Sequence, residues 1–188
     1  MDVKQAIDVR RAYRSLSPTE VSADLIRELA SAAQLAASCF NKQPWRFVFV
    51  SDPSVLSRLC DALAKGNEWA RKASMMIAVF TEKELDCIYR GREYFLFDTG
   101  MGVAHLVLRA TELGYVAHPI AGFDGSAVKE LLGIPADMLV ITLIIFGEHN
   151  DGIDPDLSDS QAEIEKERPE RLPLREFAFH NRYGSPVG

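Results

Sequence analysis

Between Arg92 and Leu113 the chain carries a helical stretch that is apolar on every side, with Phe95, Leu96, Phe97, Met101, Val103, Leu106, Val107 and Leu108 spread around it. A helix with one polar face can lie on a protein surface, but a helix without one must be central or buried at a subunit interface. Gly100, Gly102 and Ala104 let another backbone approach, and Gly114 ends the stretch. Whatever this chain folds into has to be built around that segment.

Strands and helices intermingle on either side of it. Asp2 to Arg10 places Val3, Ala6 and Ile7 at helical spacing and delivers a basic RRAYR cluster at its end. Ser22 is a candidate N-cap for a helix with Leu25, Ile26, Leu29, Ala32, Ala33 and Ala36 on one stripe, ending near Ser38. Arg46 to Val50 reads as a strand, and Asp52-Pro53 as the cap and first residue of a helix with Leu56, Leu59, Cys60 and Leu63 on its apolar face. Ser74 to Thr81 reads as a buried strand followed by a charged loop. A strand at Tyr115 to His118, a turn at Gly122 to Gly125, a helix at Ser126 to Leu132 and a buried strand at Met138 to Phe146 complete the core.

At 188 residues the chain exceeds the usual domain of about 150, so a core over 1–150 with an appended arm over 151–188 is expected. Acidic residues from Asp151 to Glu170 give that segment little reason to fold on its own body. Leu172, Leu174, Phe177 and Phe179 beyond it are poorly placed in water and should dock on another surface.

With 21 basic and 27 acidic residues the net charge is −6, which argues against nucleic acid or an anionic membrane as main partner. Cys39, Cys60 and Cys87 are an odd number with no CxxC pair, which fits unpaired thiols in a reducing compartment. The N-terminus lacks the apolar run of a signal sequence, and the longest apolar run is about half a membrane span, so a cytoplasmic protein is expected. The four histidines show no metal-ligand spacing, and no metal is expected. The GxG within Gly100 to His105 lies inside a helix, not at a strand-to-helix turn, so it reads as close packing and not as a dinucleotide site.

Arg10, Arg11 and Arg14 fall within five residues of an otherwise acidic chain, and a guanidinium cluster suits a phosphate monoester. About thirty residues later Ala37 to Val50 runs ASCFNKQPWRFVFV, a polar loop leading into a strand. PIAGFD at Pro119 to Asp124 and RLPL at Arg171 to Leu174 follow in order. Together these segments resemble the nitroreductase family of FMN-dependent oxidoreductases over nearly the entire chain. The resemblance implies an α+β fold, a mostly antiparallel sheet flanked by helices, in an intertwined homodimer whose C-terminal arm wraps the partner.

It further implies FMN as cofactor, NADH or NADPH as electron donor, and a small-molecule acceptor such as a nitroaromatic or quinone, served in ping-pong order. Arg10 and Arg11 would hold the FMN phosphate and ribityl chain, with Arg171 as a further phosphate ligand. Arg14 would lie by the pyrimidine edge and stabilise the charge of the reduced flavin. Asn67 matches a residue bonded to the polar edge, Ala121 and Gly122 the turn facing N5, and Ala37, Ser38 and Cys39 the segment packed on the flavin from the other subunit. Ala12, Ala37, Cys39 and Ala121 depart from the residues usual at those positions, and Arg71 is an uncertain match to a basic residue after Asn67. A non-catalytic FMN-binding dimer is the competing reading.

Overall fold

The computed structural model describes residues 1–187. Helices α1 (Val3–Val9) and α2 (Ala23–Gln34) flank the short strand β1 (Leu16–Ser17). Strand β2 (Arg46–Val50) leads into α3 (Pro53–Asp61), and β3 (Met75–Thr81) into the hairpin β4 (Ile88–Tyr89) and β5 (Arg92–Glu93). Then come α4 (Phe95–Glu112), β6 (Tyr115–Ile120), α5 (Gly125–Leu132), β7 (Leu139–His149), α6 (Asp159–Lys166) and α7 (Leu174–Phe177).

The caps form where the side chains permit them. Ser22 accepts from Leu25 N, Asp52 from Ser54 N and Val55 N with Pro53 at the first helical position, and Asp124 from Ser126 N and Ala127 N. Gly133 takes the left-handed conformation that ends α5. Helix α2 stops four residues short of the expected Ser38, because the chain turns there into a loop with left-handed Phe40, Asn41 and Gln43. The β4–β5 hairpin lies where only a charged loop was expected, since two-residue strands leave no periodicity to read.

Every strand pair is antiparallel, with β7 at the centre pairing β3, β6 and β1, and β3 pairing β2. Alternate residues of β3 and β7 face two cores. Met76, Ala78, Leu143 and Ile145 pack with Leu59 of α3 and Val128 of α5. Met75, Ile77, Val79, Ile144 and Phe146 pack with Leu29 of α2 and Leu106 and Ala110 of α4. Helices on both faces explain why β3 and much of β7 are continuous apolar runs. Helix α4 is central along most of its length, yet Leu96 and Phe97 in its first turn stay exposed. Gly102 accommodates an aromatic ring: a Cβ there would come within 3.2 Å of the Trp45 indole.

The acidic segment does dock on its own body, against expectation. Glu165 of α6 is buried and its carboxylate accepts from the backbone N–H groups of Arg14, at 2.8 Å, and Ser15, at 3.0 Å. Lys72 bridges to Asp154 at 2.6 Å, and Gln161 Nε2 donates to Gly66 O at 2.8 Å. Composition undervalued the segment because its acids find specific donors and do not remain in water. Beyond it Leu172, Leu174 and Phe177 are exposed, and Phe179 is half-buried beside Tyr183.

Glu165→Ala should leave two main-chain donors of a buried stretch unpaired and destabilise the chain by about 2–4 kcal/mol. Urea denaturation measures this; a change under about 0.5 kcal/mol, the size of an ordinary surface substitution, would rule out the role.

Candidate functional site

The end of α1 and the segment after α6 form a cavity of about 220 Å3 lined by Arg10, Arg11, Ala12, Arg14, Ile164, Arg168, Pro169 and Arg171. Residues far apart in sequence meet here because α6 is drawn onto the Arg14–Ser15 backbone. None of the five arginines makes an ion pair among the described residues. Glu165, the nearest acid by role, spends both carboxylate oxygens on main-chain donors.

The five are not equivalent. Arg11 Nη2 donates to the carbonyls of Ile164, at 2.5 Å, and Glu165, at 3.2 Å, so it also clamps the arm. Arg168 Nη2 donates to Asp8 O at 2.5 Å and Arg10 O at 2.9 Å. Arg10 is held below the usual arginine range by burial first, then by the like charges of Arg168 and Arg171. Burial likewise lowers Arg14, partly countered by Glu165, and Arg14 Nη1 is buried with no hydrogen-bond partner. A crowded, partly desolvated set of cations with an orphaned donor is what a bound anion would satisfy.

Behind Arg14 stands an aromatic column. Its guanidinium carbon lies 5.8 Å from the Trp69 ring centroid, and Trp69 stacks on His118 at 4.8 Å. His118 Nδ1 donates to Tyr13 O at 3.0 Å, and burial pushes the imidazole down to about 4. Near the column Asn67 Nδ2 donates to Gly122 O at 2.9 Å, and a Cβ on Gly122 would sit 2.6 Å from that amide nitrogen. A side chain at this position would have to displace the Asn67 amide from its bond to Gly122 O.

The predicted residues fall into separate groups. Arg10, Arg11, Arg14 and Arg171 share one cavity; Asn67 and Gly122 share a contact; Ala121 is exposed beside them. Ala37, Ser38 and Cys39 line a different cavity of about 460 Å3 with Phe40, Tyr89, Tyr94, Phe97, Asp98 and Met101. Arg71 pairs with Asp61 at 3.6 Å and lines another cleft, with Cys60, and is absent from the arginine cavity lining. Arg168 was missed: it sits in an acidic tract, and the RPER spacing before Leu172 is the only sign of it.

The expectation of three unpaired cysteines is corrected. Cys39 and Cys87 form a disulfide across 48 residues, and only Cys60 is free. An odd count cannot reveal this, because it leaves room for one pair. Among the described residues no helix is long and apolar enough to cross a membrane.

An antiparallel sheet between helical layers, with unneutralised arginines beside an aromatic column, defines a three-layer α+β protein with a cationic site. The model of the nitroreductase family matches residues 7–88 and 64–148. An uncharacterized 15.4 kDa protein from the ask 5' region of Mycolicibacterium smegmatis is 32% identical over 129 residues, covering 69% of this chain and 84% of that protein. An NADH dehydrogenase of Thermus thermophilus is 28% identical over 184 residues, covering 78% of this chain and 86% of that protein. A crystal structure described as an oxidoreductase containing FMN superposes with a TM-score of 0.83 at 28% identity, over 98% of this chain and 94% of that one. This chain belongs to the nitroreductase family.

The His118 environment generates a pH effect. Its folded value, about 4, lies below the ordinary 6.5, so the unfolded chain takes up the proton first. This contribution to stability is complete above pH 6.5 and fades as pH falls toward 4, a loss on the order of 3 kcal/mol. Urea midpoints of the wild type and His118→Gln across that window test it: the variant should lose the part of the slope that His118 supplies, and identical slopes would sink the assignment.

Proposed function

We propose that this chain is an FMN-dependent oxidoreductase carrying hydride from NADH or NADPH to a small acceptor, a nitroaromatic, a quinone or a similar compound, in ping-pong order. The observation that carries the reading is the arginine cavity with its unpaired, buried Arg14 Nη1. Membership of the nitroreductase family supports it, as does the likeness to an FMN-containing oxidoreductase.

FMN, when bound, supplies the two-electron chemistry, and no side-chain nucleophile is needed. Arg10 and Arg171 would hold its phosphate by charge-assisted bonds, with Arg11 and Arg168 adding charge while their Nη2 donors hold the arm and α1. Arg14, kept partly dry against Trp69, would present a fixed positive charge to the polar edge of the ring system. Asn67 has its Nδ2 engaged by Gly122 O, leaving its Oδ1 to accept from the ligand. His118, neutral above pH 4, supports Trp69 without adding a competing charge.

Assembly as a homodimer would bring Ala37, Ser38 and Cys39 of one protomer toward the arginine cavity of its partner. The exposed Leu96, Phe97, Leu172, Leu174 and Phe177 supply apolar surface for that contact. A dimer in which the arm crosses between subunits only beyond Arg171 is the proposed form, residues 151–171 staying on their own body.

Anaerobic addition of each nicotinamide to the purified flavoprotein tests the activity. Bleaching of the bound flavin and its recovery on adding a quinone are expected; a flavin that stays oxidised with both donors overturns catalysis and leaves a binding dimer. Arg10→Ala should weaken FMN binding by about 1.5–3 kcal/mol, roughly 10- to 150-fold. Equilibrium dialysis with FMN and riboflavin checks this: the variant should lose the preference for FMN, and an unchanged preference would remove Arg10 from the phosphate site.

A further inference from the structure

One cluster of ligating side chains enters the reading above only through Cys39, as a residue that packs toward the partner, and its ligating chemistry is unused there. Cys39 Sγ, Cys87 Sγ and a carboxylate oxygen of Asp86 lie within 4.8 Å of one another. The disulfide joins the loop after α2 to the β4–β5 hairpin, with Cα atoms 6.2 Å apart. Behind it Asp98 of α4 is 2% exposed, and its Oδ2 accepts from Cys39 N at 2.5 Å. Asp86 Oδ1 accepts from Cys87 N at 2.7 Å, whereas Asp86 Oδ2 is buried with no hydrogen-bond partner. Cys39 and Asp98 line the 460 Å3 cavity, so the Cys39 side of the cluster borders open space.

Two carboxyl groups beside two sulfurs create a negative potential that attracts a cation. A cation would also relieve Asp86, whose carboxyl is held above the usual carboxylate range by burial first and then by its approach to Asp98. We propose that, once the disulfide is reduced, Cys39, Cys87 and Asp86 bind one borderline-soft divalent cation of the zinc class. Asp98 is a positioning residue that fixes the Cys39 backbone. The cavity side supplies the open fourth position, the arrangement of an exchangeable site and not a closed structural one.

The chemistry balances. Two thiols of a cellular reductant become a disulfide as the Cys39–Cys87 bond breaks and each sulfur gains a proton. Those two protons leave when the sulfurs bind the cation. Tetrahedral coordination with metal–sulfur bonds of about 2.3 Å sets the sulfurs about 3.8 Å apart. Side-chain rotation reaches that separation from the observed Cα spacing of 6.2 Å. In the oxidised chain the same residues covalently tie the loop to the hairpin at the cavity rim. The site stands whether or not the flavin reading holds.

The test uses the full chain with any bound flavin retained. A trialkylphosphine reduces the disulfide, taking its oxygen from water, and the protein is then equilibrated anaerobically with Zn2+ and desalted. Elemental analysis should find stoichiometric zinc in the reduced protein and essentially none in the oxidised one. Alkylation followed by intact mass should show Cys39 and Cys87 protected by the metal. Asp86→Asn should weaken zinc binding at least about tenfold, as loss of a ligand or its support does. Cys87→Ser should abolish binding, and Cys60→Ser should leave it unchanged. No retained zinc after reduction, no protection from alkylation, or full retention by Cys87→Ser would each overturn the proposal. The comparison of oxidised and reduced wild type decides the matter even where a variant folds poorly.

Discussion

A single carboxylate organises the candidate site. Glu165 is buried against the main chain of Arg14 and Ser15 and accepts from both N–H groups. Because its hydrogen bonds go to backbone, it docks α6 without forming an ion pair with the guanidiniums around it, and its charge offsets only part of the cost of burying Arg14. Arg168 and Arg171 are thereby carried to Arg10 and Arg14, and like charge accumulates in a small, partly dry cavity. Such an arrangement costs stability in the free chain and is offset when an anion enters.

The frame that tolerates this is the two-sided sheet. Strand β7 pairs on both edges, and β3 is buried along its whole length between the helical layers. That framework holds β6, and with it His118, at a fixed distance from Trp69 and Tyr13. A neutral histidine is then part of the wall of the site, bonded to Tyr13 O and stacked on the ring that faces Arg14. Packing and electrostatics meet in that column.

The second cavity, where the loop after α2 meets the hairpin and the start of α4, is built from different material: aromatic rings, two carboxyl groups and two cysteines. The two cavities share no lining residue. The acidic cluster is left with chemistry of its own.

Much of this was legible in the chain. Local cues marked the caps at Ser22 and Asp52, the buried strands at 74–81 and 138–146, of which the second runs on to His149, and the apolar helix, because each depends on neighbours within a few residues. RRAYR and SxxNxQPWRF marked the family for the same reason, being contiguous. What only the tertiary structure decided involved partners far apart: Glu165 with Arg14, Arg168 with the carbonyls of Asp8 and Arg10, and Cys39 with Cys87. An acid looks solvated until its donors are known, and a cysteine looks unpaired until its mate is placed. Charge and thiol chemistry depend on distance in space, and the sequence records only distance along the chain.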